Sequence, residues 1–182
     1  MSQKQEKPIG LYQDAPAVCK EYDSRAPLVA MYVAGFIYTR RLPGVRVEHI
    51  GSTSVEGCAG KGIVDLMVLY PDGQLEAVKR ALDEIGFQPQ SNRDPFPEDR
   101  PMRVGSVEYD GSLFRLHAHV IWAGSPEAEG LQEFRDRLRG DETLRREYVA
   151  KKRAIIGSGV TDGVDYSIIK GEFVTQALDS TK

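Results

Sequence analysis

EHIGSTSVEGCAGKGIVDLMV, residues 48–68, carries the pattern that decides the fold. Val45 to Ile50 alternates as a strand, and a loop from Gly51 to Gly62 follows, rich in glycine and hydroxyl side chains. Ile63 to Tyr70, IVDLMVLY, is a nearly continuous apolar run of the length of a strand buried on both faces. A single charge, Asp65, interrupts it. Burying a lone carboxylate is costly unless it is paired or holds a metal, so Asp65 marks a site. Gly51-Ser52-Thr53-Ser54 offers successive backbone N–H groups and hydroxyls that can converge on phosphate oxygens, and its glycine lets a ligand approach closely. The stretch predicts a nucleotide or other phosphate-bearing ligand at Gly51, Ser52 and Thr53, facing Asp65.

Downstream, Pro71-Asp72-Gly73 turns the chain into an amphipathic helix with Leu75, Val78, Leu82 and Ile85 on one stripe and Gly86 as its C-cap. Residues 88–101 hold four prolines and read as irregular. VGSVEY and SLFRLHAHVIW flank Asp110-Gly111, which predicts a hairpin with a two-residue turn. A helix is expected from about Pro126 to Arg139, a second capped by Asp141 and running to about Ile156, and a last one after Asp165. Upstream, apolar residues at helical spacing from Ala15 to Arg41 predict a helix pair, the second starting at Pro27 and ending at Leu42-Pro43-Gly44. Residues 1–8 are polar and expected to be disordered. The whole reads as one α+β domain over residues 1–182, a small mixed sheet packed by helices with a helical C-terminal part.

With 41% apolar and 28% charged residues in 182, the chain has an ordinary globular composition and the length of one domain. A net charge of −3 provides no global attraction for nucleic acid, so any phosphate grip must be local and no nucleic-acid partner is expected. Two cysteines, Cys19 and Cys58, make no disulfide framework and lack metal-ligand spacing. No apolar run approaches the roughly 18 residues of a membrane span, and the N-terminal residues do not read as a signal peptide. A cytoplasmic location and no membrane partner are expected.

Of the chain's histidines, His49 lies two residues before Gly51, and His117 and His119 share one strand face with Arg115. Phe114, Leu116, Ala118, Val120 and Trp122 form the opposite, apolar face. That contrast suggests the basic face borders the Asp65 site, and with a two-residue turn Glu108 falls on the same face. Lys61, in the loop between Ser52 and Asp65, is placed to neutralise a phosphate as a point charge. Most cations of the helical part alternate with acids as a solvated face would. Lys152 and Lys170, with Arg115 on β-strand residues 112–122, are the remaining candidate phosphate ligands.

EHIGSTSVEGCAGKGIVDLMV, followed in order by RLHAHV, LQEFRDRLRGDETLRREYVAKKR and DYSIIKGEFV, resembles the GrpB family of the nucleotidyltransferase-fold superfamily, over roughly residues 9 to 178. The superfamily pattern is a hydrophobic residue, Gly, Gly or Ser, a spacer, and an acid on the next strand. Ile50-Gly51-Ser52 and Val64-Asp65-Leu66 match it. The resemblance implies a Gly-Ser turn holding triphosphate and strand carboxylates holding Mg²⁺, with Asp65 as metal ligand. It also implies an incomplete carboxylate set, because Met67 stands where the second acid would be. Glu108, His117 or His119 are the available replacements, as ligand or base, which places Asp65, His117 and His119 as the catalytic candidates. Glu56 and Gly62 stand where the signature usually has proline, and Cys58 where it has leucine, which predicts a looser loop. Two functions follow: a Mg²⁺-dependent nucleotidyltransferase-like protein, or a degenerate, non-catalytic module binding a phosphometabolite or partner protein. Members of the family occur fused to dephospho-coenzyme A kinase, so coenzyme A-like ligands are implied for the second. Hydrolysis by Asp65 and the two histidines with Zn²⁺ or Mn²⁺ is a third.

Overall fold

The computed structural model describes residues 7–16, 18–92, 94–159 and 171–178. The 48–68 stretch folds as expected. β1 (Arg46–Ile50) leads through a 3-10 turn (Ser52–Ser54) and a loop to β2 (Ile63–Tyr70). Before it lies α1 (Ala26–Tyr38), with proline in its first turn. After it come α2 (Leu75–Ile85), a two-residue β3 (Gln88–Pro89), β4 (Met102–Tyr109), β5 (Ser112–Trp122), α3 (Pro126–Gly140) and α4 (Glu142–Gly157). Residues 171–178 are helical, whereas Asp165 and Lys170 lie outside the described residues. Among the described residues no helix is long and apolar enough to cross a membrane.

Local chemistry explains the boundaries. Gly86 closes α2 in the left-handed region at φ 114°. Asp110 and Gly111 both take positive φ, 48° and 67°, as a two-residue hairpin turn matching strand twist requires. Ser125 and Asp141 accept from the amides of Ala128 and Leu144 and so cap α3 and α4. The first of the two expected N-terminal helices is absent: the described part of residues 11–25 is non-helical. Lys20 instead exchanges both backbone hydrogen bonds with Gly60, N to O at 2.7 and 2.9 Å. Tertiary pairing with the loop overrides the local helical spacing there.

The sheet has the order β1-β2-β5-β4-β3, with β2 and β5 parallel and the other neighbours antiparallel. Side chains alternate between its two faces. Val64, Leu66, Val68, Leu116, Ala118 and Val120 point to the face covered by α1 and α2 and form the main core. On the other face Ile50, Met67, Leu69 and Ile121 pack under Ala128 of α3. Full burial of a side chain such as Met67 is worth about 1.5–3 kcal/mol, so these residues fix α3 over one part of that face. The part of that face beyond α3 carries Asp65, His117 and His119, each largely buried. A third cluster, Val55, Cys58, Phe134, Leu138 and Tyr148, ties the loop to α3 and α4.

Candidate functional site

Ile50 pairs with Asp65 across β1 and β2, so the chain leaves β1 directly beside the carboxylate. Gly51 there has φ 71° and ψ −173°, a conformation essentially restricted to glycine. A Cβ on it would stand 2.5 Å from Asp65 Oδ2. Both properties of glycine are used: the backbone freedom and the missing side chain.

The hydroxyls of the turn divide into two kinds. Ser54 Oγ donates to Gly51 O at 2.7 Å, and Thr53 Oγ1 donates to Ile63 O at 3.0 Å. Both are buried and hold the turn's shape, so Thr53 has its amide to offer a ligand but not its hydroxyl. Ser52 Oγ has no hydrogen-bond partner among the described residues and lies against Gly60, where a Cβ would collide with it. As the first residues of the 3-10 turn, Ser52 and Thr53 have amides with no intrahelical acceptor.

His49 supports the turn from behind. Its Nε2 lies 3.0 Å from Thr53 Oγ1. Thr53 has one hydroxyl proton and directs it at the Ile63 carbonyl, so His49 must donate from Nε2 and carry its lone pair on Nδ1. Burial lowers the His49 pKa from 6.5 to about 4, against the opposing pull of Asp65. The unfolded chain therefore binds the extra proton more readily than the folded one. The resulting stability is fully present above pH 6.5 and is lost as pH falls toward about 4. We expect the difference in unfolding free energy between wild type and His49→Gln, whose amide keeps the donor, to change by roughly 2–3 kcal/mol across that window in urea titrations. Parallel acid limbs for the two proteins would refute it.

Asp65 is the centre. β2 and β5 place Asp65 opposite His117 and Met67 opposite His119. His117 Nδ1 lies 3.4 Å and His119 Nε2 3.5 Å from Asp65 Oδ1. One ligating atom from each of the three residues falls within 4.8 Å of the others. Burial alone would raise the Asp65 pKa, but the two imidazole hydrogen bonds reverse that and hold the carboxyl far below its usual range. Asp65 is a fixed anion. Burial also lowers the pKa of His119, with Asp65 opposing. Two segments outside the signature complete the surroundings. Tyr12 OH meets His117 Nε2 at 3.2 Å. Arg100 points Nη1 at His119 Nδ1 at 3.4 Å, with Phe96 edge-on to the same ring. Neither Tyr12 nor Arg100 carries a motif or periodicity that would single it out in the sequence.

The other expected ligands are placed less directly. Arg115 is buried, and its guanidinium donates to the carbonyls of Lys61 at 2.9 Å and Ala15 at 3.4 Å. It fastens the N-terminal segment to the loop. Lys61 is half-buried beside it. Lys152 is enclosed behind the loop, donating to Ala59 O and Cys58 Sγ and lying 4.2 Å over the Tyr148 ring. Burial raises the Cys58 thiol pKa, with the same lysine opposing. Glu108 is exposed and pairs with Leu113, toward the hairpin end, and is no part of the Asp65 cluster. Glu56 is exposed and lines a surface concavity with Tyr22 and Arg139 instead of entering the turn. Gly62 takes φ 69°, a value closed to proline.

A second acid does lie on this face: Glu48, opposite Met67. Its carboxylate is turned to α3, where Arg135 Nη1 and Gln132 Nε2 donate to it at 2.9 and 2.8 Å. Met67 between them is fully buried. The position of a second metal carboxylate is therefore dry core.

The sequence pattern of the family described as GrpB protein matches residues 16–180. A UPF0157 protein of Streptomyces coelicolor is 34% identical over 130 residues, 71% of this chain and 65% of that one. A UPF0157 protein of Pseudomonas aeruginosa is 31% identical over 138 residues, 75% of this chain and 55% of that one. The chain thus spans between half and two thirds of the length of these two relatives. Among solved structures, the conserved protein GrpB from Enterococcus faecalis superposes with a TM-score of 0.62 at 19% identity, covering 88% of this chain and 99% of that one. Cid1 in complex with its short product ApU gives a TM-score of 0.51 at 15% identity over 74% of this chain and 42% of that one. At these identities the structural likeness speaks for a nucleotidyltransferase-like fold.

Proposed function

The chain belongs to the GrpB family, and from that premise we propose that the Gly51–Asp65 site binds a divalent cation together with a nucleotide or another phosphate-bearing small molecule. The observation that carries this reading is the convergence of Asp65, His117 and His119 within 4.8 Å, beside a glycine turn whose leading amides and Ser52 hydroxyl have no partner among the described residues. One carboxylate and two imidazoles on one face are a donor set that fits a divalent ion. Imidazole suits Mn²⁺ or Zn²⁺ better than Mg²⁺, the ion the resemblance implies.

Asp65 would supply the anionic ligand, and His117 and His119 the neutral ones through Nδ1 and Nε2. The bound ion would neutralise phosphate charge and polarise a phosphoryl oxygen. The amides of Ser52 and Thr53 with Ser52 Oγ would orient the phosphate, and Lys61 would add local positive charge. The buried Lys152, Thr53 Oγ1, His49 and Arg115 would keep the turn in shape and act on the ligand only through it. Met67 favours binding over transfer, since two-ion phosphoryl chemistry wants a second acid where this chain is apolar. A non-catalytic phosphometabolite-binding role is thus the second reading beside nucleotidyl transfer.

Calorimetry with Mn²⁺ or Mg²⁺ and each of ATP, GTP, CTP, UTP and coenzyme A decides between them. Saturable binding of at least one nucleotide that requires the cation is expected. No binding of any nucleotide would overturn the nucleotide reading, and pyrophosphate release from a bound nucleotide would overturn the non-catalytic one.

A further inference from the structure

The two histidines of the cluster differ in what stands behind them. His117 turns Nε2 to the Tyr12 hydroxyl at 3.2 Å. A hydroxyl both donates and accepts, so His117 is free to take either neutral tautomer and to present an unprotonated Nδ1 to a cation. His119 has no such freedom. The group facing its Nδ1 is Arg100 Nη1 at 3.4 Å, and a guanidinium donates only. The lone pair of neutral His119 therefore sits on Nδ1 and its proton on Nε2, the nitrogen 3.5 Å from Asp65 Oδ1. A cation needs that Nε2 bare. Ligation would move the proton to Nδ1 and set two N–H donors against each other.

Arg100 is well held in this position. Its Nε donates to Glu127 Oε2 at 2.9 Å and its Nη2 to Glu127 Oε1, a forked pair with the first turn of α3. Its Cζ lies 4.4 Å over the Phe96 ring. Only Nη1 addresses the cluster. The guanidinium is planar, so Nη1 leaves His119 by a tilt of the whole group about its Glu127 fork, which carries Nη1 to another acceptor nearby. A phosphate oxygen beside a bound cation is such an acceptor.

We propose that Arg100 is the anion-responsive arm of the site: it holds His119 in the tautomer that cannot ligate, and releases it to a phosphate oxygen, so that cation and phosphoanion bind cooperatively. Arg100 is on this account a positioning residue for His119 before a phosphoanion arrives and a phosphate ligand afterwards. The proposal rests on the cation reading above, and it adds that a cation alone binds weakly.

The test is a Mn²⁺ titration of wild type and Arg100→Leu, each with and without saturating inorganic phosphate, beside histidine ¹⁵N spectra of the metal-free proteins. Wild type should bind Mn²⁺ about tenfold more tightly when phosphate is present, within the usual range of coupling between sites. Arg100→Leu should bind Mn²⁺ alone about tenfold more tightly than wild type and gain little from phosphate. In wild type the His119 ring should show the Nε2–H tautomer. An Arg100→Leu variant with unchanged or weaker Mn²⁺ affinity, or an Nδ1–H tautomer in wild type, overturns the proposal while leaving the cation site standing. Failure of both proteins to bind Mn²⁺, with or without phosphate, overturns the cation reading itself and the coupling with it.

Discussion

Asp65→Asn should leave a folded protein whose divalent-cation affinity has fallen by at least about a hundredfold, since loss even of an outer partner to a metal ligand costs 10–100-fold. Asp65 is the single carboxylate of the cluster, and Glu48 on the same face is engaged by Arg135 and Gln132. No other acid among the described residues stands ready to replace it. The side-chain amide has the same shape and can still accept from one imidazole, so the sheet register should survive, as circular dichroism would show. Glu108→Gln is the matching control: Glu108 is exposed at the hairpin end, and its loss should leave Mn²⁺ binding unchanged. Retention of Mn²⁺ affinity within a few-fold by Asp65→Asn would remove Asp65 from the metal-ligand role. An effect of Glu108→Gln as large would make Glu108 a further ligand of the cation.

Gly51→Ala should be the most damaging single-methyl change in the loop, lowering stability by about 3 kcal/mol. Two costs combine. The φ 71°, ψ −173° conformation costs a non-glycine residue about 1–3 kcal/mol. The new Cβ would stand 2.5 Å from Asp65 Oδ2, and overpacking of that kind typically costs about 1–3 kcal/mol. For a protein of this size the melting temperature should drop by about 6–12 °C. Gly57 separates the two costs. It has φ 73° but open space around its Cβ position, so Gly57→Ala tests the backbone contribution alone. Calorimetric melting should show Gly57→Ala falling by a few degrees and Gly51→Ala by clearly more. Equal losses would mean that the turn does not press against Asp65 as described.

Where sequence and structure agree, the deciding residues act locally. Asp110-Gly111 makes its hairpin turn because both positions tolerate positive φ, and Gly86 ends its helix for the same reason. Asp65 is legible as a site because a carboxylate inside an apolar strand must be paired or ligated, and the alternation of β5 puts His117 and His119 on one face. What is not legible depends on distant partners. Residues 15–25 have helical spacing, yet pairing of Lys20 with Gly60 draws them along the loop. Thr53 reads as offering its hydroxyl to a phosphate, but the Ile63 carbonyl and His49 engage that hydroxyl and leave the amide. Lys152 reads as a phosphate ligand but is fully buried, donating to the loop at Ala59 O and Cys58 Sγ. Tyr12 and Arg100 come from segments without periodicity, and only the folded arrangement of the N-terminal stretch and the proline-rich connection brings them to the histidines.

The parallel pairing of β2 with β5 has a consequence for when the site comes into being. Parallel neighbours cannot be joined by a hairpin, and here the chain passes through α2, β3 and β4 before β5 enters between β2 and β4. The separation of about fifty residues between Asp65 and His117 must be closed first, against its chain entropy. The three side chains stand together only once β5 lies between β2 and β4. Anything bound at Asp65, His117 and His119 then favours the completed sheet alone. At a hundred times its dissociation constant it would add about 2.7 kcal/mol to global stability. A bound ligand would thus act as a clamp across the middle of the sheet, and resistance to unfolding becomes a measure of site occupancy that needs no knowledge of the reaction.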